Sequence, residues 1–306
     1  MALPTPIGVV SHYNLLERLE PAGPGELFRA RDTRAGRTVA IRVLPPEFAP
    51  DTASRAELID KARGLVGLSH PNITTLFEAG EHEGLIFLAF EYLRGQSLRA
   101  EMGGRPMNVR RAVEAAIQIA DAVADAHAAG FIHGGLSQDT IVITAKGNAK
   151  IPAFELAART GFEQAGGEPG DVRLRDYDSP EEARGQHADE RSDIHSVGAV
   201  LFEMLTTRRP LHRGAAAPSA SNAHVPPELD EIVLRAVAPN PDSRYQSAAT
   251  FAAELRSIAA ILDVRGGAGD EDDEHHAPST SVGRVVVMAV VMLLLVAAIV
   301  WWLGRS

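Results

Sequence analysis

The sequence predicts an α+β protein of two lobes, strand-rich over residues 13–93 and helical over 94–262, followed by one membrane-spanning helix. Three observations predict it. The first lobe holds β-branched, apolar runs such as 38–44, and Glu83-Gly84 reads as a hairpin turn leading into a strand at 85–91. The second lobe holds helical spacing at 109–129, where Val113, Ile117, Ala120 and Ala124 share a face and Gly130 closes the helix. It also holds an almost wholly apolar helix at 193–207 and further helices at 229–238 and 247–262. Finally, residues 285–303 carry neither a charge nor a proline. At about 1.5 Å of rise per residue, such a helix approaches the ~30 Å hydrocarbon core of a bilayer.

Taken in order, residues 1–12 are a tail with no basic region and no long apolar run, so no signal peptide is expected. Within the first lobe, residues 55–68 have helical spacing and no proline. The Ala- and Pro-rich stretch 214–227 reads as a surface loop of the second lobe. Residues 263–283 are polar and Gly-rich with an acidic run, and are expected to be a disordered linker in which His275 and His276 are solvated. The span is assigned to 284–303, with Trp301 and Trp302 at one end and Arg284 and Arg305 on its flanks. Residues 304–306 form a short tail, so the span is expected to act as an anchor in the lipid bilayer, with a cytoplasmic domain on a single-pass membrane protein.

Composition excludes several function classes. The chain has 306 residues and no cysteine, which removes disulfides, thiolate zinc sites and cysteine nucleophiles. A net charge of −10 argues against a nucleic-acid surface, which needs a basic field. The scattered histidines His82, His127, His187, His212 and His224 show no paired metal spacing.

Several short segments then fall in one order. They are 28–43, His70-Pro71-Asn72-Ile73, Phe90-Glu91-Tyr92-Leu93, Phe131-Ile132-His133, Ser179-Pro180-Glu181, the run from Arg191 to Gly198, and that from Pro241 to Ser247. Together they resemble the bacterial Ser/Thr protein kinases over residues 13–262. The resemblance implies the two-lobed protein kinase-like fold, with an N-lobe at 13–93 and a C-lobe at 94–262. It further implies structural roles for His133, Phe154 and Leu65 in an apolar spine and for Asp193 beneath the catalytic loop. Glu181 and Arg244 would form a buried ion pair.

The same resemblance locates the chemical positions, and most carry other residues. In the glycine loop Glu20 and Ala22 stand where the first two glycines are usual and only the third, Gly25, remains at its place, with Gly23 beside it as a weak nucleotide contact. The strand lysine is Arg42, and Lys61 falls at the position of the helix glutamate, with Glu57 the alternative four residues earlier. The catalytic aspartate is Gly135, the phosphate-contacting lysine Ser137, and the metal-binding asparagine Thr140. The metal-binding Asp-Phe-Gly reads Ala153-Phe154-Glu155. Gly134 replaces the arginine that would clasp a phosphorylated loop, so phosphorylation of Thr160 has no evident receptor. Leu27, Ala40 and Val142 would still sandwich an adenine, with Phe90 narrowing the pocket behind it and Arg42 near the phosphates.

These replacements imply a pseudokinase. The expectation is a membrane-anchored domain that is no enzyme and serves as a signalling scaffold or allosteric partner of other proteins, an active membrane kinase among them. No cofactor is expected, although ATP binding without catalysis remains open and magnesium is not expected. The alternative is a divergent Ser/Thr protein kinase with residual ATP binding or activity, in which Asp139 or Glu155 holds a metal and Lys61 or Lys150 reaches a phosphate.

Overall fold

In a computed structural model of the chain, residues 7–19, 25–152, 177–210 and 215–273 are described. Alternating burial along the first strands produces a sheet with one apolar face turned to a core. Six strands run in the order β1-β2-β3-β4-β6-β5: β1 is Gly8–Val10, β2 Tyr13–Leu19, β3 Glu26–Asp32, β4 Thr38–Val43, β5 Leu76–His82 and β6 Leu85–Glu91. All adjacent pairs are antiparallel. Glu83 and Gly84 both have positive φ, 50° and 81°, the geometry of a tight hairpin whose twist matches its strands. Tyr13, Leu15, Phe28, Ala30, Val39, Ile41, Phe87 and Ala89 make the core on one side of the sheet.

Helix α1, Thr52–Leu65, is interposed before β5. Its start is set by Asp51, whose carboxylate accepts the Ser54 N–H at 2.8 Å. Leu58, Ile59, Ala62 and Leu65 are its buried residues.

The second lobe is helical around a small sheet of β7, Gly95–Ser97, β8, Val142–Thr144, and β9, Ala149–Lys150. Its helices are α2, Leu98–Met102, α3, Val109–Ala128, α4, Glu190–Thr206, α5, Pro227–Ala236, and α6, Ala248–Asp273. In α3 the fully buried stripe includes Ala112, Ala116, Ile119 and Val123. The small alanines there let α4 approach closely, so the buried face is broader than the one the sequence picks out. Helix α4 is buried from Ser192 to Thr206 and opens with a capping box between Asp189 and Ser192.

The chain divides into two units, 1–259 and 260–306. In the second, the described residues continue α6 as far as Asp273, into the stretch expected to be a disordered linker. The helix does so through Gly266, Gly267 and Gly269, three weak helix formers, with no proline before Pro278. Among the described residues no helix is long and apolar enough to cross a membrane, and the expected span at 284–303 lies outside them.

Glu181 and Arg244 form the buried pair that the resemblance implies. The Arg244 Nη1 and Nη2 atoms donate to the two Glu181 oxygens at 2.6 and 2.8 Å, while Nε donates to the Ala238 carbonyl at 2.7 Å. Burial alone would raise the Glu181 carboxyl, but the bonds from Arg244 and Ser192 outweigh it and hold the group at about 2. Breaking such a pair leaves an uncompensated buried charge, so Arg244→Ala is expected to cost about 3–5 kcal/mol in chemical denaturation at neutral pH. Because the folded-state value is depressed, the pair's contribution is full above about 4.5 and is lost as pH falls towards about 2. The gap between wild type and Arg244→Ala should therefore narrow across that window.

Candidate functional site

The candidate site is the cleft between the lobes, bounded by the loop after α3, the strand that ends at Ile151 and the outer face of the sheet. The loop is held from beneath by Asp193, in the first turn of α4. One of its oxygens accepts the His133 N–H at 2.7 Å and the other the Gly134 N–H at 2.7 Å. His127 Nε2 from α3 lies 2.8 Å from the same carboxylate. Gly134 has φ of 67°, a left-handed conformation that costs a residue with a side chain about 1–2 kcal/mol. Glycine thus suits the backbone at the position where the guanidinium is missing. The Gly135 N–H turns to His133 Nδ1 at 3.2 Å.

The following turn is stapled by its own hydroxyls. Ser137 N–H donates to Thr140 Oγ1 at 3.0 Å and Thr140 N–H to Ser137 Oγ at 3.2 Å, and both residues are buried. Thr140 Oγ1 also lies 3.2 Å from the carbonyls of Gly135 and Ser137. These side chains serve the loop backbone rather than projecting from it. Asp139 is gripped in a two-pronged pair by Arg99, at 2.6 and 3.0 Å. Arg99 also reaches the Tyr177 hydroxyl at 3.3 Å, and that hydroxyl donates to Glu203 at 2.5 Å. Burial, then the Glu203 bond, pushes the Tyr177 hydroxyl well above its ordinary value. Nothing in the sequence flagged Arg99, Tyr177 or Glu203, because they come together only when α2, α4 and the residue before Asp178 meet.

The strand leading to position 153 is fixed at both edges. Ile151 N–H donates to Asn72 O and Thr74 N–H to Ile151 O, each at 2.8 Å, so the His70–Ile73 segment forms a parallel bridge beside it. Asn72 Nδ2 donates to the Ala149 carbonyl at 2.7 Å, and Gln118 of α3 accepts the Ala149 N–H at 2.7 Å. Ala153, Phe154, Glu155 and Thr160 lie outside the described residues, as do Glu20, Ala22 and Gly23.

Strand register sorts the roof of the cleft. Leu27 pairs with Arg42, Arg42 with Leu88, and Ala40 with Phe90, which puts all five on the sheet face opposite the core. Arg42 and Phe90 are buried, Leu27 and Ala40 half-buried, and Val142 of β8 stands half-buried in the second lobe. Gly25 has φ of 82°, and a Cβ there would meet the Val43 carbonyl oxygen at 2.3 Å, so glycine is required at the mouth of β3. Lys61 and Lys150 are engaged locally. Lys61 Nζ pairs with Glu57 at 2.8 Å on its own helix, and Lys150 Nζ with Glu91 at 2.6 Å. Leu65 and His133 are buried.

Magnesium, which the kinase fold ordinarily carries, does not fit the described residues of this cleft. A hard divalent cation needs several oxygen ligands. Thr140 spends its hydroxyl on the loop, Asp139 is held by Arg99, and alanine at 153 has no oxygen to give. Among the described residues no three His, Asp or Glu side chains gather at metal-binding spacing.

Comparison with known proteins agrees with this geometry. The sequence model of the protein kinase domain matches residues 15–258. The chain is 34% identical over 275 residues to the serine/threonine-protein kinase PknB of Mycolicibacterium smegmatis, covering 82% of this chain and 43% of that protein. It is 30% identical over 266 residues to PrkC of Bacillus subtilis, covering 81% and 41%. The chain thus spans about two fifths of the length of these curated relatives. Among solved structures, the PknI kinase domain of Mycobacterium tuberculosis superposes with a TM-score of 0.69 over 85% of this chain and all of that one, at 22% identity, which speaks to the fold. The expectation that this chain is no enzyme is overturned by these findings, since the whole domain matches and the relatives are named as kinases. Phosphoryl transfer rests on positioning as well as on electrostatic stabilisation of the phosphates, and the frame supplies the first of these.

Replacing Asp193 with alanine leaves two buried N–H groups without an acceptor, each costing about 1–3 kcal/mol. Hydrogen exchange across 131–141 is expected to speed up in Asp193→Ala, while exchange in β3 and β4 stays unchanged.

Proposed function

This chain belongs to the bacterial Ser/Thr protein kinase family, and on that premise we propose that it is a divergent Ser/Thr protein kinase acting as a signalling domain at a membrane. ATP occupies the cleft with its base between Leu27, Ala40 and Val142, and its phosphates towards Arg42. The bond between the γ-phosphorus and the β–γ bridging oxygen breaks, a serine or threonine hydroxyl of a protein takes the phosphoryl group, and ADP leaves. The hydroxyl proton goes to solvent or to a phosphate oxygen, because Gly135 offers no base.

The observation that carries this reading is the grip of Asp193 on the His133 and Gly134 amides, which fixes the loop that a hydroxyl substrate would approach. A loose, metaphosphate-like transition state asks more of alignment than of proton abstraction. A positioned base ordinarily contributes about 10²–10⁴-fold, and kinases typically turn over at about 1–100 s⁻¹, so a rate of about 10⁻⁴ to 1 s⁻¹ is expected. Transfer of labelled γ-phosphate to casein by the full chain in detergent checks this. Incorporation should exceed the enzyme-free blank and fall at least tenfold in Arg42→Ala. Incorporation no higher than the blank, with every common divalent cation tried, would remove the kinase reading.

The membrane part of the proposal rests on residues 285–303, whose composition suits a bilayer span. The domain lies on the cytoplasmic side, and the acidic run at 270–274 keeps it off anionic headgroups. Other proteins of the same membrane are its partners, a second kinase among them. Cell fractionation provides the check: the full chain should sediment with membranes, and deletion of 285–303 should shift it to the supernatant.

A further inference from the structure

Asp193 pins the start of the loop between α3 and β8, at His133 and Gly134. The far end of that loop is held from another direction, by the short helix α2. The Leu98 N–H donates to the Ile141 carbonyl at 2.8 Å and the Arg99 N–H to the Gln138 carbonyl at 3.0 Å. Between those two anchors the Arg99 side chain grips Asp139, with Nε donating to one oxygen at 2.6 Å and Nη2 to the other at 3.0 Å. Backbone and side chain of α2 thus fix the same turn.

The same guanidinium reaches a second element. Nη2 also donates to the Tyr177 hydroxyl at 3.3 Å, which in turn donates to Glu203 of α4 at 2.5 Å, and Arg99 Nη1 lies 3.9 Å from that carboxylate. Tyr177 is 1% exposed and its carbonyl accepts the Ser196 hydroxyl at 2.9 Å, so this side of the link is itself firmly seated. A two-pronged pair between guanidinium and carboxylate fixes orientation as well as distance. The bond from Asp139 raises the Arg99 guanidinium above its ordinary value, so the link keeps its charge at any working pH. The Arg99 and Asp139 side chains are 37% and 27% exposed, and a pair so open to water adds little to global stability. Its effect is on where the loop sits relative to Tyr177.

We propose that Arg99 is a positioning residue for phosphoryl transfer, acting through Asp139 to hold the loop 133–141 at a fixed distance from the chain at Tyr177, so that an acceptor hydroxyl resting on both is aligned with the phosphate. This rests on the reading of the cleft as a kinase site and adds a residue to it. Misplacement of reacting groups by about 1 Å can cost about a hundredfold in rate.

The test is transfer of labelled γ-phosphate to saturating casein by the full chain in detergent, for the unaltered protein, Arg99→Gln, Asp139→Asn and the double variant. In Arg99→Gln, kcat should fall at least tenfold while the KM for ATP stays within twofold. Asp139→Asn should fall similarly, and the double variant should be no slower than the slower single within twofold, because both substitutions cut one link. Melting points report whether each variant folds; if Arg99→Gln does not, Asp139→Asn alone decides. A variant that transfers at the unaltered rate, or losses that multiply in the double variant, would overturn the positioning role and leave the kinase reading standing. No transfer by the unaltered chain would overturn both.

Discussion

The fold of the second lobe and the shape of the cleft both depend on a buried carboxylate. Asp193 is 1% exposed, and an ionised group so deep is tolerated only when its oxygens are fully used. They are used by the amides of His133 and Gly134 and by the ring of His127. These partners tie α3, α4 and the loop between α3 and β8 into one body. The charge sits in the first turn of α4, where the helix dipole also favours it. Ser192, its neighbour, donates to Glu181 at 2.8 Å, so the same helix turn connects to the Glu181–Arg244 pair. Two buried ionic centres therefore share one turn of helix, and they hold the loop from below and the segment after residue 177 from the side.

Above the cleft a different constraint operates, the strict alternation of a β-strand. Phe28, Ala30, Val39 and Ile41 face the core of the sheet, which forces Leu27, Ala40 and Arg42 to face the cleft. A slip by one residue would bury Arg42 in an apolar core. The core packing of the first lobe thus also sets the position of its functional cation. Gly25 adds a local condition at the same strand, since the Val43 carbonyl leaves no room for a side chain there.

How much of this was legible in the sequence follows from the range of the interactions. The two lobes, the hairpin at Glu83-Gly84, helices α3 and α4, and the pair between Glu181 and Arg244 were legible, because periodicity and ordered motifs carry them. The face of α3 was read too narrowly, since alanine counts as weakly apolar in a pattern yet packs as a full core residue when a helix lies close. The extension of α6 to Asp273 was not legible from composition, because Gly266, Gly267 and Gly269 and the acidic run all argue against a helix there. In the cleft, the positions of Arg42 and Asp193 were legible. The engagement of Asp139 by Arg99 was not, because Arg99 sits forty positions earlier with no pattern linking the two. The hydroxyls of Ser137 and Thr140 looked like lost ligands in the sequence, and the structure gives them a second occupation as staples of the loop.

The distribution of charge in and around the cleft follows a simple rule. Each cation that the sequence offered as a substitute has an acid close by: Lys61 has Glu57 one helical turn away, and Lys150 has Glu91 across the strands. An i,i+4 pair on a largely exposed helix face is worth only a few tenths of a kcal/mol, yet that suffices to keep the Lys61 ammonium against its own helix.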